Sequence, residues 1–94
     1  MAANIAVEMT TDPAQADEFA RAFIPLSEQT RVEDAGCEAY ELFRSVERPE
    51  HFVLIERWTT AADLEAHIAA PHMEAIRTLI GGAGVERTVR RFED

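Results

Sequence analysis

Hydrophobic residues alternate with other residues at the start of the chain and then recur at helical spacing. Residues 4–9 carry Ile, Val and Met at every second position, which is the pattern of a half-buried strand. Residues 11–13 follow with a capping side chain and a proline suited to a first helical turn, and apolar residues recur at helical spacing along residues 19–26. The pattern predicts a strand and then a helix over about residues 13–33, bent or interrupted at Pro25.

The middle of the chain predicts a hairpin. Gly36 should end the helix, and residues 37–44 form a second strand, joined through a turn at residues 47–50 to a third strand that ends at Trp58. A turn centred near Arg48 would place three pairs opposite each other on one face: Tyr40 with Glu56, Leu42 with Leu54, and Glu38 with Trp58.

The third strand opens with an unbroken apolar run at residues 52–55. Because side chains alternate between the two faces of a strand, both faces of this strand need covering. Helices can cover one face, but nothing in the chain remains to cover Val53 and Ile55. We therefore expect a homodimer in which a second copy packs against the open face of the sheet.

A second helix is predicted to begin at Thr60, because residues 60–63 resemble a capping box. Pro71 should split this helix into two pieces. His67 and His72 fall on or beside its apolar stripe, so both imidazoles should lean toward the sheet. The predicted stripe consists of Leu64, Ile68, Ile76 and Ile80.

Glycine-rich residues 81–84 lead into a last alternating segment at residues 85–92, which predicts a fourth strand. The order is strand, helix, strand, strand, helix, strand. Short connections and the usual handedness then give a ferredoxin-like βαββαβ sandwich of the α+β class, with a four-stranded antiparallel sheet and two helices on one face. Residues 1–94 are expected to form this single domain.

Composition removes several function classes. Eighteen acidic and nine basic residues give a formal charge of -9, which disfavours nucleic acid and anionic membranes as partners. Every basic residue is arginine, so no lysine can form a Schiff base. The first ten residues lack the pattern of a signal peptide, and Cys37 is the only cysteine, so we expect a reduced, cytoplasmic setting.

The motifs of the hairpin and second helix resemble the antibiotic biosynthesis monooxygenase domain family. The resemblance rests on Gly36-Cys37-x-x-Tyr40-x-Leu42, Glu56-x-Trp58, and His67 followed by Ala70-Pro71-His72, and it covers nearly the whole chain. It implies a dimeric α+β barrel. Several members of this family are cofactor-independent oxygenases of polyphenols or quinols, so the resemblance implies that activity, with no cofactor. Other members degrade haem, process small signalling molecules or have no known reaction.

The haem-degrading branch of that family relies on an asparagine in the first strand, a tryptophan in the second helix and a later histidine. An ungapped comparison finds Val7, His67 and Arg77 at those places, so haem would lack its proximal ligand. The quinol-type branch fits better. Its pocket residues vary, and therefore the resemblance transfers no fixed catalytic set.

The residues themselves predict a pocket between the sheet and the second helix. Its apolar walls with a few polar groups suit a flat aromatic ligand. His67 is the expected base because the ordinary pKa of imidazole, about 6.5, is near neutrality. Glu56 could orient His67, or act as the base if burial raises its pKa. The predicted substrate-binding residues are Tyr40, Leu42, Leu54, Trp58, Leu64, His72, Phe19 and Phe23.

The same residues also have purely structural interpretations. Trp58 and Tyr40 suit a small core, and His67 and Glu56 could be a buried pair that satisfies its own polar groups. A metal site built from His67, His72 and Glu56 is disfavoured, because the histidines are five positions apart across a proline.

The sequence leaves two other functions open. One is a non-catalytic dimeric module for ligand binding or assembly. The other is an isomerase or lyase acting on a small oxygenated metabolite. The acidic surplus is expected on the solvated outer face, with Glu28, Glu33 and Asp34 as examples.

Overall fold

The computed structural model covers residues 1–94 and contains four strands and three α-helices. The predicted elements are confirmed, including the separation of the second helix into two pieces around Pro71. The first helix continues through Pro25 as one element. No helix has the length and apolar composition needed to cross a membrane. The elements are β1 (Ala3–Thr10), a 3-10 turn (Pro13–Gln15), α1 (Ala16–Glu33), β2 (Cys37–Arg44), β3 (His51–Trp58), α2 (Ala61–Ile68), α3 (Met73–Gly82) and β4 (Glu86–Glu93).

The strands form one antiparallel sheet in the order β2-β3-β1-β4, which confirms the ferredoxin-like topology. The central strands β3 and β1 are separated in sequence by α1 and β2, so the sheet centre depends on long-range pairing. Both ends of the chain meet beside β1: the Ala2 amide donates to the Asp94 carbonyl at 2.9 Å, and the Asp94 amide donates to the Ala2 carbonyl at 3.1 Å.

The hairpin register agrees with the prediction at two of three pairs. Tyr40 lies opposite Glu56, and Leu42 lies opposite Leu54. The third pair was predicted wrongly, because an irregularity in β2 between residues 37 and 39 shifts the register there. Cys37, not Glu38, is opposite Trp58.

The same irregularity moves the Glu38 side chain off the covered face. Glu38 is exposed, and its carboxylate accepts hydrogen bonds from Arg57 at 2.9 Å and from the Thr59 hydroxyl at 2.8 Å. This carboxylate therefore belongs to a surface network at the end of β3 and is not directed toward the core.

The helices cover one face of the sheet and leave the other open. The covered face holds the core, in which Trp58 and Tyr40 are almost completely buried. Phe43, Ile55 and Phe92 point to the open face, and Ile55 remains 39% exposed. The sequence therefore correctly identified a sheet whose second face has no cover within the chain.

The predicted stripe of the second helix is correct at Leu64 and Ile76, which are buried, and wrong at Ile68, which is 47% exposed. The helical path stops at Ile68 and resumes only at Met73, so α2 and α3 do not share one face. His67 takes the inward position at the end of α2 instead.

Candidate active site

The junction between α1 and β2 packs directly against the start of α2. Gly36 has a φ of +78°, and a Cβ at this position would overlap the carboxyl group of Asp63. Glycine is therefore required there both by conformation and by space. Asp63 is itself fixed by the predicted capping box, since its amide donates to the Thr60 hydroxyl at 3.1 Å. This close approach brings the residues that follow α1 next to α2.

Asp34, the first residue after α1, lies between the two histidines. Its Oδ2 is 2.5 Å from Nδ1 of His67, and its Oδ1 is 2.8 Å from Nε2 of His72. Because an ionised carboxylate can only accept hydrogen bonds, each of these ring nitrogens carries the shared proton. The side chains are 10%, 2% and 11% exposed for Asp34, His67 and His72. One carboxylate thus fixes both imidazoles in a nearly buried position.

Glu56 lies on the other side of His67. Its Oε1 accepts a hydrogen bond from the Trp58 indole at 3.0 Å and is 3.9 Å from Nε2 of His67. The second distance is longer than a hydrogen bond. Asp34, not Glu56, therefore orients the His67 ring.

Burial shifts the pKa values of Glu56 and His67 in the directions that keep both side chains neutral. Desolvation raises the pKa of Glu56 to about 7, although the hydrogen bond from Trp58 opposes the shift. Burial also lowers the pKa of His67, against the hydrogen bond and negative charge of Asp34. A neutral His67 that donates from Nδ1 presents the lone pair of Nε2 toward Glu56. Glu56 is therefore a carboxyl group that can take up or release a proton near neutral pH, and a neutral imidazole lies beside it.

Aromatic rings enclose this pair. The Trp58 ring stacks on His67 with centroids 4.5 Å apart, and the Tyr40 ring contacts His67 edge-on at 5.3 Å. Burial, followed by the negative charge of Glu56, raises the pKa of the Tyr40 phenol, so this hydroxyl stays protonated. The rings exclude water from Glu56 and His67.

The structure brings the predicted site residues together but packs them closely. Trp58, Tyr40, His67 and Glu56 are buried, and the predicted lining residues fill the space between the sheet and α2 with their own side chains. Their role in binding a substrate stays a prediction. Those buried in this cluster are Phe19, Phe23, Tyr40, Leu54, Trp58 and Leu64, while Leu42 is partly buried against them and His72 lies at its edge.

A groove of about 600 Å³ lies beside this cluster, between α1 and β2. We call it the α1–β2 groove. Three predicted residues, Phe23, Tyr40 and Leu42, form part of its wall. Its charged groups are Arg31 and Arg44, which is paired with Asp17, together with Glu38 and Glu41. Because Tyr40 contacts both this groove and His67, it separates the groove from the buried pair.

Sequence reasoning missed Asp34, which was placed on the solvated outer face; that prediction was wrong. Its partners His67 and His72 lie 33 and 38 positions away, so only the tertiary fold could reveal the contact. A weak signal was present, because Asp34 stands between the predicted end of α1 and Gly36, where a turn directs the chain back to the sheet.

Comparison with known proteins agrees with this architecture. The model of the family described as "Antibiotic biosynthesis monooxygenase" matches residues 3–79. "Probable quinol monooxygenase YgiN" from Escherichia coli K12 is 31% identical over 102 aligned positions, covering 93% of this chain and 92% of that protein. The crystal structure of an antibiotic biosynthesis monooxygenase superposes with a TM-score of 0.85 at 27% identity, covering 98% and 97% of the two chains. A conserved protein from Methanosarcina mazei Go1 shares the fold, with a TM-score of 0.89 at 23% identity over 100% and 93%.

Proposed function

Because the chain belongs to the antibiotic biosynthesis monooxygenase family, we propose that it is a monooxygenase that uses no prosthetic group and acts on an aromatic or quinol-like small molecule. The curated relative from Escherichia coli, named a probable quinol monooxygenase, supports this substrate class. The observation that carries the proposal is the buried Glu56–His67 pair, with a pKa of about 7 for Glu56.

The reaction requires a base in a dry site. A quinol-type substrate loses a phenolic proton to the base, and the resulting anion donates electrons to molecular oxygen. One oxygen atom forms a bond to carbon, and the O–O bond breaks so that the other atom leaves as water. The quinol leaves as a hydroxyquinone, so the substrate itself supplies all four electrons that reduce the two oxygen atoms, and no cofactor is needed. Glu56 and His67 are the groups that accept the proton, and Asp34 holds the His67 ring in position.

The substrate in this proposal binds in the α1–β2 groove. Phe23 and Leu42 offer apolar contacts to an aromatic ring, and Arg31 supplies positive charge for the developing oxyanion. Arg31 is held in place because its Nη1 donates to the Tyr40 carbonyl at 2.7 Å. A movement of the Tyr40 ring would connect the groove to Glu56 and His67.

A homodimer is part of the proposal. Val53 and Ile55 lie on the open face with the exposed rings of Phe43 and Phe92, and a second copy would bury these apolar groups against their equivalents. Pairing through the sheets would leave the α1–β2 groove free on the helical side. Sedimentation velocity at micromolar concentration tests the dimer, and a stable monomer would contradict it.

A second candidate is a non-catalytic module that binds a small hydrophobic ligand. The close packing around His67, which is only 3% exposed, favours this alternative. It would use the α1–β2 groove without any proton transfer. Native mass spectrometry of the purified chain would reveal a retained ligand.

The deciding experiment measures oxygen uptake with a panel of quinols and polyphenols. The proposal expects uptake by the wild type and a loss of at least about 100-fold in Glu56→Gln or His67→Asn. Uptake should be unchanged in His51→Gln, because this histidine lies at the opposite end of β3 from Glu56 and bonds to Thr10. Absence of uptake with every substrate, together with a retained ligand, would instead support the binding module. Turnover that persists without oxygen would indicate an isomerase or lyase.

A further inference from the structure

We propose that Asp34, His67 and His72 form a binding site for a divalent first-row transition metal ion. One donor atom from each residue lies within 4.8 Å of the others. Two imidazoles and one carboxylate are a donor set used by both zinc and non-haem ferrous sites. The test measures binding only and so does not depend on the proposed monooxygenase activity; in the metal-bound chain the proton of His67 would lie on Nε2, and Glu56 alone would serve as the base.

Asp34 is the residue that makes this arrangement possible. The spacing of the two histidines across Pro71 argued against a helical pair of ligands, and that reasoning holds for a continuous helix. The break after Ile68 changes the outcome, since it places the rings of His67 and His72 with centroids 6.0 Å apart. Asp34 enters from the end of α1 and lies between them, where Glu56 had been considered as the third ligand.

The donor atoms need only small movements to accept an ion. Zinc bound at about 2.0–2.2 Å from tetrahedral ligands separates those ligands by about 3.3–3.5 Å. The present separations are 2.5 Å from Asp34 to His67 and 2.8 Å from Asp34 to His72, which are hydrogen-bond lengths. An ion bound by all three residues would lengthen both contacts by up to about 1 Å, and it would draw the two imidazole nitrogens, which lie within 4.8 Å of each other, closer by at most about 1.5 Å.

His72 is the ligand best able to make that adjustment. Its Nδ1 is buried without a hydrogen-bond partner, so the ring is held only through Nε2 and Asp34. The residue also lies before the first turn of α3 and outside any helical ladder on its N-terminal side. Movement of this ring would not disturb the stacking of Trp58 on His67.

Glu56 lies where a metal-bound His67 would need a carboxylate, although the two groups would first have to close to hydrogen-bond distance. Such a histidine usually donates the proton on its other ring nitrogen to a carboxylate, which fixes the ring and strengthens the ligand. Glu56 is 3.9 Å from Nε2 of His67 and is anchored by Trp58. With the ion on Nδ1, the proton of His67 would move to Nε2 and face this carboxylate.

The test is equilibrium dialysis of the chelator-treated full chain against Zn²⁺ and, without oxygen, against Fe²⁺, with metal quantified per chain. The expected result is one ion per chain for at least one of the two metals. Asp34→Asn and His72→Gln should each weaken binding by at least about 100-fold, the upper range for losing even a supporting residue. His51→Gln is the matched control, since it removes the third histidine, which bonds to Thr10 at the opposite end of β3, and should bind as the wild type does.

A second readout follows the ring protons of the three histidines by NMR during the Zn²⁺ titration. Signals of His67 and His72 should shift together, and that of His51 should not. The proposal is overturned if neither metal binds saturably, or if binding survives in both Asp34→Asn and His72→Gln. If circular dichroism shows that Asp34→Asn is unfolded, His72→Gln decides alone, because its ring makes a single hydrogen bond.

Discussion

The two faces of the sheet present opposite problems of solvation. The covered face buries polar groups: Glu56 and His67 lie under Trp58 and are nearly inaccessible to water. The open face exposes apolar groups, with Ile55 and Phe43 in contact with solvent. Buried polar groups must find partners within the chain, whereas exposed apolar groups must find them outside it. The first requirement explains the Asp34 contacts, and the second underlies the proposed dimer.

The largest expected effect comes from removing the anchor of the covered face. Trp58→Ala should lower the free energy of unfolding by about 3–5 kcal/mol, because Trp58 is fully buried and its indole also satisfies Glu56. Urea denaturation measures the change. Val46→Ala, in the fully exposed hairpin turn, is the control and should stay within about 0.5 kcal/mol of the wild type.

The next largest effect is a dependence of the free energy of unfolding on pH, caused by Glu56 on the covered face. The pKa of Glu56 is raised from 4.5 to about 7 in the folded chain, so the folded state favours the protonated form. Its stabilising contribution is therefore complete below about pH 4.5 and is lost as the pH rises through about 7, by roughly 3 kcal/mol. Urea denaturation at a fixed protein concentration over this pH range should show the decline.

Glu56→Gln is the matched variant, because its amide oxygen can still accept the Trp58 hydrogen bond. This substitution should abolish the fall in the free energy of unfolding as the pH rises through about 7. The remaining trend should have the opposite sign, since the lowered pKa of His67 reduces stability as the pH falls below about 6.5. An unchanged pH profile in Glu56→Gln would show that Glu56 is not the titrating group.

A charge introduced on the open face should weaken the association of two chains and leave the folding of each chain unchanged. Ile55→Lys is expected to weaken the proposed dimer by at least about 100-fold, because the charge would be buried between the two sheets. Sedimentation equilibrium measures the dissociation constant, and circular dichroism checks the fold. Val32→Lys on exposed α1 is the control and should leave association unchanged. Equal effects of the two substitutions would place the interface elsewhere.

The smallest effect concerns a residue whose burial was predicted wrongly. Ile68→Ala should change the free energy of unfolding by less than about 0.5 kcal/mol, because the side chain is 47% exposed. Ile76→Ala, of the same chemistry but fully buried in α3, should cost about 2–5 kcal/mol. Thermal or urea denaturation of the pair compares them directly, and similar losses would contradict the separate faces of α2 and α3.

Most of the fold could be predicted from sequence because its signals are local. Alternation in β1, the apolar run of β3 and the capping box at Thr60 each act within a few residues. Register is only partly local, and so Tyr40 and Glu56 were paired correctly while the irregularity before Ala39 was missed. Nothing in the composition of β2 marks the place where the strand shifts.

The candidate site was harder to predict because its contacts join distant elements. Trp58, Glu56 and His67 could be grouped from one strand and the following helix. Asp34 could not, since an acid beside a glycine turn usually faces water, and its burial depends on how closely Gly36 approaches Asp63. The sequence therefore predicted the grouping of Glu56, Trp58 and His67 but not the contact of Asp34 with the two histidines.

The paired hydrogen bonds between Ala2 and Asp94 have a practical consequence for engineering. Since the two ends of the chain are already adjacent, a short linker could join them, and new ends could be opened in the exposed turn at Val46. Such a circularly permuted chain would make β3 the first strand and β2 the last, while the order of strands in the sheet stays the same. It would turn the β2–β3 hairpin into a pairing between chain ends, and so reveal whether assembly of the sheet requires that hairpin to form first.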